Sequence, residues 1–133
     1  MMALWTIIAL LGMALNLAFS HVLIQPDWTL AILAGTVLAH RGSWVWVAPL
    51  AAMHDLLFFD SLWGLLPVVL VLPLALPYLD FHLGPALPQR FVFMLLSLVP
   101  MLMFGVPFVS CVLTAACMLP VWHYMARYYA RLA

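Results

Sequence analysis

A chain of 133 residues that is 69% hydrophobic and 6% charged, with four Arg, four Asp and neither Lys nor Glu, cannot cover a water-facing surface with polar groups. That composition marks an integral membrane protein. The formal net charge is zero, and a nucleic-acid-binding face needs clustered Lys and Arg, so nucleic acid is excluded as a partner.

Polar knots at Gln25-Pro26-Asp27, His40-Arg41-Gly42-Ser43, Asp60-Ser61, Asp80 to Gln89 and Gly105-Val106-Pro107 divide the chain. Between them lie six apolar segments, 3–23, 28–39, 44–59, 62–79, 90–104 and 108–130, each expected to be a helix. The knots are too short to hold a soluble domain, so residues 1–133 are read as one all-α membrane domain, a six-helix bundle. The first segment ends in Ala18-Phe19-Ser20, which loosely resembles a signal-peptidase site. It lacks a positive n-region and is long enough to span, so a retained anchor helix is expected.

The second and third segments are short, about 18 and 24 Å at 1.5 Å per residue against a hydrocarbon core of about 30 Å. They must be extended at their ends, sunk among longer neighbours, or paired as a re-entrant hairpin. Small residues mark close helix contacts: Ala9, Gly12, Asn16 and Ser20 on the first helix, and Ala31, Gly35 and Ala39 on the second. Pro67, Pro73 and Pro77 in the fourth segment, Pro100 in the fifth and Pro120 in the sixth predict kinks. The sixth closes in Trp122-His123-Tyr124-Met125-Ala126-Arg127-Tyr128-Tyr129-Ala130-Arg131, the mixture of rings and Arg that a headgroup boundary favours.

Six crossings from a cytoplasmic N-terminus place Arg41, Arg90, Arg127 and Arg131 on the inner side as anchors, the positive-inside pattern without an exception. Both termini are then cytoplasmic. Asp27 and Asp60 fall outside, Asp55 lies near the outer end of the third helix, and Asp80 is inside. Merging 28–59 into a hairpin would separate Arg41 from the other arginines, which favours six crossings over five.

An ionisable residue at membrane depth is costly and marks a functional site by default, which makes Asp55, in Ala51-Ala52-Met53-His54-Asp55-Leu56-Leu57, the residue to explain. Its neutral form is favoured by desolvation unless a cation or several donors lie nearby. With the arginines at the far face, hydroxyl, His or backbone donors from another segment are its expected partners. It reads as a structural carboxylate, the lining of an outward-facing cavity, or a contact for another chain. His54 and Asp55 are neighbours about 100° apart on a helix and are not expected to face the same way. His21, His54 and His123 show no metal-ligand spacing, and zinc needs three or four convergent ligands, so neither metal nor other cofactor is expected. Cys111 and Cys117 sit about 9 Å apart along a helix axis, too far for a disulfide. His-Glu-x-x-His, Gly-x-Ser-x-Gly and phosphate-binding Gly-rich motifs are absent, and no catalytic residue is expected.

Gln25-Pro26-Asp27-Trp28 with Leu30 and Leu33, then Arg41, Asp55-Leu56-Leu57 and Gly64-Leu65, resembles the core of the rod shape-determining protein MreD family. Met94-Leu95-Leu96-Ser97-Leu98-Val99 and Leu119-Pro120 followed by Arg127 and Arg131 are similar too. Where the family usually has Gly shortly after Asp-Leu-Leu, this chain has Phe58-Phe59-Asp60-Ser61, and Gly64 sits slightly late. The resemblance implies a non-catalytic protein of the bacterial inner membrane. Its fold would be similar to the S components of energy-coupling-factor transporters. It would work in cell-wall elongation and peptidoglycan synthesis beside an MreC-like periplasmic coiled-coil protein, the MreB filament, and RodA with its transpeptidase. Asp27, His54, Asp55 and Asp60 are then a polar site for structure or partner contact, among membrane lipid. A small-molecule binding or transport subunit of S-component type is the alternative.

Overall fold

The structure, a computed structural model, describes residues 2–19, 24–84 and 87–132. Its elements are α1 (Met2–Ala18), α2 (Trp28–Ala39), a 3-10 turn (Arg41–Ser43), α3 (Trp44–Phe58), α4 (Leu65–Leu83), α5 (Leu87–Ser97), α6 (Val99–Met103) and α7 (Phe108–Leu132). There is no strand among the described residues. Each of the six segments expected from sequence contains a helix, the fifth being divided into α5 and α6; α1 ends at Ala18, and residues 20–23 of the first segment lie outside the described residues.

The shortest of the expected crossings lies at the centre. Every residue of α2 from Thr29 to Leu38 is buried, and the helix packs against α1, α3, α4, α5 and α7. A helix wrapped on all sides needs no lipid-facing length, so its 12 residues suffice. Leu30, Leu33 and Val37 form the core with Met13 of α1, Val47 of α3, Val69 of α4, Met94 of α5 and Met118 of α7. Its two buried hydroxyls are satisfied without water, Thr36 Oγ1 donating to the Ile32 carbonyl at 2.7 Å and Thr29 Oγ1 to the Ala9 carbonyl at 3.2 Å.

The small-residue stripes are where backbones meet. A Cβ on Gly35 would lie 2.9 Å from Val121 Cγ1 and 3.3 Å from the Met118 carbonyl oxygen on α7, and one on Gly12 would lie 3.1 Å from Trp28 Cβ. Ala9, Gly12, Asn16, Ala31 and Gly35 are buried, and Ala39 is half-buried; Ser20 lies outside the described residues. Gly35→Ala should lower stability by about 1 kcal/mol net, since overpacking costs roughly 1–3 kcal/mol and the gain in helix propensity returns up to about 1. A thermal melt of the purified variant checks this, and an unchanged or raised midpoint would count against close α2–α7 packing at this point.

The segment ends differ from expectation for identifiable reasons. α4 starts at Leu65 rather than 62, because residues 59–64 form a bend and the first free N–H groups of the helix are taken by a side chain of α3. It runs past Asp80 to Leu83 and stops at Gly84, whose φ of 79° and N–H bond to the Asp80 carbonyl form its C-terminal cap. α4 and α7 continue through Pro73, Pro77 and Pro120. The break between α5 and α6 falls at Leu98, two residues before Pro100, which has no N–H for the Leu96 carbonyl. A tight link with Gly105 at φ 81° then turns the chain into α7.

Candidate functional site

Two acids and one imidazole meet where α2 begins and α3 ends. Asp27 is the N-cap of α2, its Oδ1 accepting from the Leu30 N–H at 3.0 Å. Its own N–H donates to Thr114 Oγ1 of α7 at 2.9 Å. Asn16 of α1 fixes the approach to this cap: its amide donates to the Pro26 carbonyl at 2.8 Å, and its Oδ1 accepts from the Trp28 N–H at 3.1 Å. Asn16 is therefore more than the small packing residue its stripe suggested.

His54, in the last turns of α3, presents Nε2 to Asp27 Oδ2 at 2.6 Å and Nδ1 to Asp55 Oδ1 at 3.2 Å. This corrects the expectation that His54 and Asp55 do not face the same way. Their Cα–Cβ bonds diverge by about 100°, but consecutive Cα atoms are only about 3.8 Å apart. Both side chains turn into the protein, and both are fully buried. Since carboxylates only accept, each of the two contacts needs a proton on the imidazole nitrogen or on the carboxyl group.

Asp55 also accepts the Leu65 N–H on Oδ1 at 2.7 Å and the Leu66 N–H on Oδ2 at 2.8 Å. These are free donors of the first turn of α4, so a residue ten positions upstream acts as that helix's cap. Several donors surround Asp55, with no arginine among them. The cluster Asp27–His54–Asp55 joins α2, α3, α4 and, through Thr114, α7. Phe58 and Phe59 cover the imidazole at centroid distances of 4.9 and 5.5 Å, and Phe104 stacks on Phe59 at 4.6 Å.

Asp60 does not join the cluster. It is exposed, adopts φ 51° in the bend before α4, and has no hydrogen-bond partner among the described residues. His123 is exposed at the far end of α7, and His21 lies outside the described residues. No group of three metal-ligating side chains occurs among the described residues, and Cys111 and Cys117 are free thiols.

Only Asp27 opens outward, its side chain 12% exposed at a cavity of about 290 Å³ lined by Asn16, Gln25, Phe58, Phe59 and Ser110 among others. Both ring nitrogens of His54 are occupied and the ring is buried, so it offers no free nitrogen to an incoming molecule. In chemical terms the arrangement is a clamp.

The opposite end gathers the arginines. The start of α1, the α2–α3 turn and the end of α7 share one cavity, and His40, Arg41, Asp80 and Arg90 share another beside it. Arg41, Arg127 and Arg131 are exposed. Arg90, expected as an anchor on the inner side, is buried and paired: its two terminal nitrogens each donate to one Asp80 oxygen at 2.9 Å. The pairing follows from geometry, because α4 extends one turn beyond its expected end and carries Asp80 to the start of α5. Comparison with known proteins gives no match: no family model, no curated protein and no solved structure corresponds to this chain.

Proposed function

We propose that this chain is a non-catalytic, multi-pass scaffold of the bacterial inner membrane, acting as MreD does in rod-shape maintenance and peptidoglycan synthesis. The observation that carries the reading is the convergence of Asp27 and Asp55, the acids of the two motifs through which the chain resembles that family, on one closed clamp around His54. A clamp holding four helices in register suits a protein whose task is to present membrane surfaces to partners.

Membrane insertion is supported by where the apolar surface lies. α4 and α7 are long and apolar enough to span, yet only 22% and 28% of their spans are buried. The core helix of a soluble protein passes the same length and composition test with most of its residues covered. Here the large apolar side chains point outward, Leu74, Phe81 and Phe108 among them at 79, 85 and 71% exposure, as lipid contact requires. The clustering of arginines at one end and of Asp27, Asp55 and Asp60 at the other accords with six crossings and cytoplasmic termini.

On this reading the MreC-like coiled-coil protein docks through its membrane anchor, and the MreB filament and RodA with its transpeptidase belong to the same assembly. Depleting the chain in its host should turn rods into spheres and delocalise sidewall synthesis, seen by pulse labelling with a fluorescent D-amino acid. Unchanged rods would refute the scaffold. The cavity beside Asp27 supports a second reading, a small-molecule subunit of S-component type; loss of uptake with normal cell shape on mutation of its walls would favour that one.

A further inference from the structure

The cavity beside the clamp shares Asp27 with it and is lined otherwise by residues outside the clamp. Its volume of about 290 Å³ is close to the lower bound, roughly 300 Å³, of small-molecule sites, and mostly apolar walls with a few polar groups are the usual composition of such sites. Ile24, Phe58, Phe59, Met101 and Val106 supply the apolar wall.

The polar groups are one-sided. Asn16 and Gln25 turn their amide nitrogens to backbone carbonyls, Asn16 to Pro26 and Gln25 to Leu15 and Asn16, and Asn16 Oδ1 is taken by the Trp28 N–H. Acceptor capacity remains on two groups of the wall: the Asp27 carboxylate, whose oxygens take the Leu30 N–H and face His54 Nε2, and Gln25 Oε1, which accepts no hydrogen bond among the described residues. Asp27 is the one acid or base among the described residues of the wall. Behind it a single imidazole faces two carboxylates, and the arginines stand at the other end of the protein. Among the described residues of the wall, an anion would meet a carboxylate and no arginine. A neutral molecule would leave the charge unused.

We propose that this cavity binds a small organic ammonium, with its N–H groups on the Asp27 carboxylate and Gln25 Oε1 and its apolar body against Phe58, Phe59 and Met101. Charge-assisted hydrogen bonds are roughly twice as strong as neutral ones, and aromatic side chains accept the apolar body of such a ligand. The site goes beyond the scaffold reading: its failure leaves the depletion result untouched, and loss of the scaffold leaves the site untouched.

Three probes with the same phenyl body separate charge from hydrophobicity: 2-phenylethylammonium, 2-phenylethanol and 3-phenylpropionate, titrated calorimetrically into the full chain in neutral detergent. The ammonium should bind about tenfold tighter than the alcohol, a factor that corresponds to one charge-assisted bond, and the carboxylate should bind weakest. Val106→Trp and Ser110→Trp, which fill the cavity from two sides, should abolish ammonium binding in whichever variant folds. Photolabelling of the wild-type chain with an azido derivative of the ammonium needs no variant, and its adducts should fall on residues 24–27, 58–59 or 106–110. Equal binding of the three probes, binding that survives a filled cavity, or adducts confined to other surfaces would overturn the proposal.

Discussion

Replacing Asp55 by Ala should remove about 3–5 kcal/mol of stability, the range for breaking a buried, charged hydrogen-bond set by deleting one partner. The reason is what stays behind. Leu65 and Leu66 would each keep an N–H at the covered start of α4 with no acceptor, and His54 Nδ1 would lose its partner. A buried donor left unsatisfied costs roughly 1–3 kcal/mol by itself. Against a total stability on the order of 5–15 kcal/mol, the Ala variant should be purified in low yield and melt well below wild type. Asn keeps one acceptor oxygen but turns an amide nitrogen toward a backbone donor, so it should fall between the two. Asp60→Ala, at an exposed and unbonded position, should stay within about 0.5 kcal/mol. Equal melting of Asp55→Ala and wild type in the same detergent would show that the clamp does not hold the fold.

The clamp is tolerable at depth because its charges are offset locally. Asp27 and Asp55 each sit at a helix N-terminus, α2 and α4, where the end of a helix carries roughly half a positive charge. Together with an imidazole between them, two such ends offset part of the charge of two carboxylates without drawing an arginine from the other face. The same arrangement accounts for chain order. The acid that caps α4 is placed by α3, and the adjacent acid that caps α2 is held by a bond to α7, so tertiary contacts help to set both helix starts.

Much of this was legible in the sequence. The six helical segments follow from the spacing of polar knots; Asp27 was expected only as an outer acid, although an acid immediately before an apolar run is also a usual N-cap position. The placement of α2 at the centre was one of three options left by its length, and only packing decides among them. The partners of Asp55 were expected in kind, as donors from another segment. Their identity was hidden, since backbone N–H groups of Leu65 and Leu66 have no signature in side-chain sequence. The contact of His54 with Asp55 is hidden from helical geometry, which fixes Cβ directions, because it is made by side-chain reach. Asp80 and Arg90 were both placed at the inner face, but their pairing depended on α4 running one turn longer than its hydropathy indicated.

Gly64→Ala should be nearly as damaging as the loss of Asp55, for the opposite reason. A Cβ at position 64 would stand 2.6 Å from Asp55 Oδ1 and 2.4 and 2.7 Å from Phe59 Cδ2 and Cε2, so something must move. Phe59 is held by its stack on Phe104 and its edge contact with His54. Asp55 cannot withdraw without giving up the N–H of Leu65, the residue next to the substitution. Overpacking of this kind costs roughly 1–3 kcal/mol and occasionally more; with two rigid neighbours the upper part of that range is expected, about 3 kcal/mol. A double-mutant cycle identifies which neighbour matters. Asp55→Ala removes the obstructing oxygen and the bonds that a displaced carboxylate would lose, so Gly64→Ala should cost at least about 1 kcal/mol less in that background, the size of coupling found between residues in contact. Phe59→Ala should relieve only part of the penalty, because the carboxylate remains. Strict additivity of Asp55→Ala and Gly64→Ala would mean that the glycine does not make room for the acid.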